Sequence, residues 1–139
     1  MNNSFKENYH WVTLISIVLI YGYYFVKVLP PSGPDITAEN VTLFAGLLVL
    51  LVVLHIVGAI VLIAVAKFND PHPDERDQLV NLKGSRNASW ILTTGVFGGM
   101  AAVLLAPGNF WVLHILLASL VVSQLVESAT QIFHYRRGF

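Results

Sequence analysis

The residue with the most chemical potential in this sequence is Glu127. It is the only acidic side chain within the long apolar segments of the 139-residue chain. An ionised carboxylate at membrane depth costs several kcal/mol unless it is paired or hydrated, so such a residue is a functional candidate by default. Gln124, Glu127, Gln131 and His134 recur at helical spacing and predict one polar stripe, with Ser123 and Thr130 beside it. Thr93 and Thr94 fall at similar depth on the preceding segment, and Arg86 could snorkel up to it from the stalk. Two chemistries fit this stripe. In one, Glu127 pairs with Arg86 or Lys83 as a structural clasp. In the other, the stripe lines a hydrated cavity that takes an ion or polar ligand.

Histidine offers two further sites. His55 and His114 both fall in apolar runs, and two intramembrane histidines could ligate a haem. Their depths argue against it. His55 is about fourteen residues from one end of its run and His114 about four, a vertical offset of roughly 15 Å at 1.5 Å per residue. A neutral His55 bonded to a hydroxyl such as that of Ser16 is the expected state. His10 and His134 share a depth, with His72, Asp70 and Asp74 nearby in the chain, and imidazole with carboxylate could bind a divalent metal. No HxxxH spacing supports such a site, and no cofactor is expected.

These residues must be held by elements suited to lipid. The chain is 55% hydrophobic and only 12% charged, against about 25% charged for soluble domains. Zero formal net charge supplies no basic surplus for nucleic acid. The absence of cysteine excludes disulfides, thiolate metal sites and cysteine nucleophiles. No glycine-rich phosphate loop, GxSxG or HExxH sequence occurs, so no enzyme activity is indicated.

Apolar runs predict four spans over about 11–29, 41–68, 89–105 and 110–133, each near the length that crosses a hydrocarbon core of roughly 30 Å. Residues 1–139 then form one all-α transmembrane domain of two antiparallel hairpins, joined by a charged segment over 69–88. The first run exceeds a usual signal-peptide core, and LPPSGPD after it offers no small-x-small cleavage site, so the run is expected to be retained. Pro30, Pro31, Gly33 and Pro34 end it, and Tyr21, Tyr23 and Tyr24 suit an interfacial aromatic belt with Lys27 reaching outward. Asp74 is the expected N-cap of a helix over 74–105, whose first turns form a cytoplasmic stalk. On that stalk Leu79, Leu82 and Val80 suggest an apolar stripe. Gly95 and Gly99 form a GxxxG pair, and Gly98 and Ala102 a second small pair, which favour close helix association in lipid. Ala106–Asn109 predicts a tight turn.

Orientation follows from lysine and arginine. Of the eight such residues, Lys6, Lys67, Arg76, Lys83, Arg86, Arg136 and Arg137 fall on one side of the predicted layout and Lys27 alone on the other. The positive-inside rule then puts both termini and the charged segment in the cytoplasm, in a cell inner membrane.

The run DERDQLVNLKGSR, leading directly into an apolar span, resembles a motif of small bacterial four-span membrane proteins in a family of unknown function. Asp74, Glu75, Arg76, Asp77, Lys83 and Arg86 match that pattern. The resemblance covers about twenty residues and the layout of spans, and it implies no activity. Two functions are therefore expected from the residues themselves. One is a non-enzymatic interaction or scaffold protein, docking a membrane partner or a second copy through the stalk and the small-residue faces. The other is a small ligand-binding or transport protein built around Glu127.

Overall fold

The computed structural model describes residues 3–69 and 75–137, with side chains described at 7–58, 60, 61, 64 and 75–137. They form four helices, α1 Asn3–Val28, α2 Ala38–Asn69, α3 Glu75–Leu105 and α4 Phe110–Arg137, and no strand occurs among them. All four carry windows long and apolar enough to cross a membrane. The helices begin and end where turn chemistry requires. Leu29 makes the last backbone bond of α1, to Phe25, immediately before Pro30 and Pro31. Thr37 caps α2, its hydroxyl accepting from the Asn40 N–H at 3.2 Å. The predicted N-cap Asp74 lies outside the described residues. Helix α1 begins well before Trp11 and α4 continues past Phe133, so Glu7, His10 and Tyr135 are helical residues and face one another.

Neighbours in space follow the order α3, α4, α1, α2, since α3 contacts α4, α4 contacts α1, and α1 contacts α2. Helix α4 is therefore central, and Phe110, His114, Leu117, Val121, Gln131 and Tyr135 are among its buried residues. Helix α2 is the opposite case. It is apolar over most of its length, Leu51 is its only buried described hydrophobic, and most of its described circumference is left uncovered by the other helices. The core between α1, α2 and α4 is built from Ile17, Ile20, Tyr21, Tyr24, Val28, Leu51, Phe110, Leu117 and Val121.

Lipid tails are as apolar as leucine, so helices in a bilayer gain little from burying hydrocarbon and must associate by close packing and polar contacts. The α3–α4 contact follows that rule. Its buried α3 residues are Asp77, Val80, Gly84, Ala88, Gly99 and Ala102. Ideal Cβ atoms at Gly95 and Gly99 would overlap Ser119 and Leu116. The expected apolar stalk stripe is corrected here: Leu79 and Leu82 are exposed, whereas Val80 is fully buried. Small size, not hydrophobicity, marks the packed face.

The two loops at one end of the bundle are tied together. Asn109 accepts from the Ile36 N–H through its side-chain oxygen at 2.9 Å, and its own N–H donates to the Asp35 carboxylate at 3.2 Å. The Phe110 N–H donates to the Pro34 carbonyl at 3.0 Å. Gly108 takes a φ of +75° beside that carbonyl, where a side chain would be both strained and obstructed.

Candidate functional site

At the end of the bundle near the chain termini, α1, α2 and α4 enclose an open-sided cavity of about 320 Å³. Tyr9, His10, Thr13 and Ile17 come from α1, His55 from α2, and Gln124, Glu127, Ser128 and Gln131 from α4. The predicted stripe of Gln124, Glu127 and Gln131 is thus brought to one site, but on the side facing α1 and α2. His134 is not among the lining residues. Thr94, expected to share this depth, is exposed on α3 and donates to the Trp90 carbonyl at 2.9 Å. Arg86 is exposed too, and no ion pair among the described residues joins it to Glu127. The contact of α3 with α4 uses the other side of α4, which is why residues at matching depth do not meet.

Acceptors dominate the cavity. Glu127 brings a carboxylate, and the Gln124 side-chain oxygen is buried without a hydrogen-bond partner. His55 does not bond Ser16, as the sequence suggested. Its Nδ1 lies 2.9 Å from the Leu51 carbonyl in its own helix, so Nδ1 carries a proton, and in the neutral form of the ring Nε2 is an acceptor. The amide of Gln131 is turned away, donating to Asn81 of α3 at 3.3 Å. The arrangement suits a ligand that donates hydrogen bonds or carries positive charge, with the Tyr9 ring as a further cation-compatible surface.

His114 has a different role. It is buried and stacked on Phe110, with ring centroids 4.0 Å apart. Its Nδ1 is 2.7 Å from the Phe110 carbonyl, which fixes the proton there and leaves Nε2 to accept from the Tyr24 hydroxyl at 2.9 Å. Both nitrogens are engaged within the chain, so His114 lacks a free lone pair for an axial metal bond. Tyr24, placed by the sequence in an interfacial belt, is instead buried with Tyr21, and Tyr23 alone of the three is exposed. The hydroxyl of Tyr24 has a partner only on the inner side.

The charged segment after residue 74 also turns inward. The Arg76 guanidinium reaches the carbonyls of His134 and Tyr135, at 3.4 and 3.5 Å. Those are last-turn carbonyls of α4, at the negative end of its dipole. Asp77 is buried and accepts from the Tyr135 hydroxyl at 3.0 Å. His10 stacks on the same Tyr135 ring at 5.8 Å, and Arg136 pairs with Glu7 at 2.6 Å across α4 and α1. Two residues of the DERD run thus clasp the end of α4. Removing the hydroxyl in Tyr135→Phe leaves one acceptor site of a buried carboxylate unfilled and should cost about 1 to 3 kcal/mol. Thermal unfolding in detergent checks this, and an unchanged midpoint would show that the bond carries no stability.

Of the other expected metal residues, His72, Asp70 and Asp74 lie outside the described residues. Among the described residues no three histidine, aspartate or glutamate side chains converge closely enough to hold an ion. Tyr135, Asn81 and the Asp35–Asn109 pair were not singled out by spacing, because each bonds to a residue distant in sequence. No protein-family model, curated protein or solved structure matches the chain.

Proposed function

We propose that the protein is a cytoplasmic-membrane protein that binds a small cationic solute, a protonated amine being the best fit, in the cavity around Glu127. In this proposal the termini and the α2–α3 junction face the cytoplasm, and the chain is two antiparallel hairpins with the first turns of α3 outside the hydrocarbon. One observation carries the choice of ligand class: a carboxylate, an unpartnered buried amide oxygen and an imidazole lone pair line a single cavity. Its volume of about 320 Å³ is at the small end of ligand pockets, which run from roughly 300 to 1,000 Å³.

A docking role for the stalk and the small-residue face has less support. Gly95 and Gly99 are occupied by α4 of the same chain, and Arg76 and Asp77 are engaged with its last turn.

The test uses thermal unfolding of purified protein in detergent, with putrescine and tetraethylammonium as probes. A bound solute stabilises the fold by RT ln(1 + [L]/Kd), about 2.7 kcal/mol at a hundred times Kd. Putrescine is expected to raise the parent midpoint. In Glu127→Gln the unliganded midpoint should hold, since the carboxylate makes no ion pair among the described residues, while putrescine affinity falls about tenfold or more. Equal stabilisation of parent and variant would overturn the site, as would a complete lack of response to either amine.

A further inference from the structure

A second cavity lies at the opposite end of the bundle, between the end of α1 and the start of α2, with a volume of about 740 Å³. Its polar lining carries one cation and one anion, Lys27 and Glu39, with Ser32 and Thr37 between them and Val28 and Leu43 as an apolar wall. We propose that this groove seats a membrane phospholipid whose headgroup bears both a phosphate and a primary ammonium, the phosphate at Lys27 and the ammonium at Glu39.

Several observations lead there. Lys27 is in the last turn of α1 and Glu39 in the first turn of α2, so both charges stand where two apolar helices end, at the level of a lipid phosphate layer. Both are exposed, and no ion pair among the described residues uses either one. Lys27 rests 5.8 Å from the Tyr23 ring centroid, an aromatic of the kind enriched at that level. The Thr37 hydroxyl accepts from Asn40 and keeps its own proton to donate to a phosphate oxygen. Below the groove the face of α2 that carries Glu39 continues through exposed Leu50, Val53 and Val57, along which acyl chains can lie. Lys27 also departs from the charge pattern of the other seven basic residues. A cation kept against that pattern, beside an acid in one groove, matches a zwitterion better than a simple anion. The site is independent of the Glu127 cavity.

A soluble phosphoethanolamine shares the headgroup chemistry, and the experiment separates the two sources. The full chain in detergent is mixed with equimolar phosphatidylethanolamine and phosphatidylglycerol of matched acyl chains, and retained lipid is read by native mass spectrometry. The parent is expected to retain phosphatidylethanolamine preferentially. Lys27→Gln should lower retention of both lipids about tenfold, and Glu39→Gln should erase the preference while retaining phosphatidylglycerol. Both side chains are exposed, so the variants should keep the parent unfolding midpoint. Equal retention of the two lipids by the parent, or parent-like retention by Lys27→Gln, overturns the proposal. Displacement of the bound lipid by millimolar phosphoethanolamine overturns the lipid assignment in favour of a soluble zwitterion.

Discussion

Gly95→Leu is expected to separate α3 from α4 and to cost about 3 kcal/mol or more, beyond the usual range for overpacking a well-filled interface. The first side-chain atom beyond the backbone would already overlap the Ser119 side chain. Ser119 cannot yield cheaply, since it is held by its bond to the Leu116 carbonyl at 2.7 Å and is itself buried. Close backbone approach at Gly84, Gly95 and Gly99 also brings Asn81 to Gln131 and Asn87 to Thr130. Prising the helices apart therefore removes polar contacts along the interface as well as the packing. Gly22→Leu is the control, because nothing lies within 4 Å of an ideal Cβ there. Unfolding midpoints in detergent should fall sharply for the first variant and hardly move for the second. Similar midpoints for the two would exclude this α3–α4 packing.

The second large effect is expected at the Tyr24–His114 pair. His114→Ala removes a ring stacked on Phe110 and leaves the Tyr24 hydroxyl buried without its acceptor. Cavity and orphaned-donor effects together should reach about 3 kcal/mol or more. Tyr24→Phe keeps the packing and loses only the donor, for about 1 to 2 kcal/mol. The double variant should cost less than the two single losses added, because the second substitution removes a group the first has already orphaned. Strict additivity of the midpoint-derived energies would mean that the pair is not coupled.

Much of the architecture was legible in residue types. Apolar length located four helices, and Pro30, Pro31 and the Ala106–Asn109 turn located two of their boundaries, because chain stiffness and hydrocarbon solubility are local properties. The stripe of Gln124, Glu127 and Gln131 was legible for the same reason, since helical spacing puts those residues on one face. What faced the stripe was not. Depth along a span can be counted from sequence, but rotation about the helix axis cannot, so Thr94 and Arg86 were matched to Glu127 by height while α1 and α2 supply the actual walls. Leu79 and Leu82 misled through a rule that belongs to water. Here the packed line runs through buried Asp77, Val80, Gly84, Ala88, Gly99 and Ala102, with half-buried Ile91 and Gly95 between them, a spacing of threes and fours visible in the sequence once small size is taken as the main signal. The Tyr24 and Tyr135 hydroxyl bonds had no such signal, because their partners are fixed only by the packing.

The spatial order α3, α4, α1, α2 sets a schedule for synthesis. Helix α1 contacts its sequence neighbour α2 and otherwise only α4, the last helix to emerge. Tyr24 waits for a histidine 90 residues further along the chain, an interval of about 5 to 20 s at translation rates of roughly 5–20 residues per second. Throughout that time the Tyr24 hydroxyl lacks the acceptor that it has in the folded chain. The α1–α2 pair is thus the earliest part to be made, yet like α3 it meets its main partner only when α4 follows.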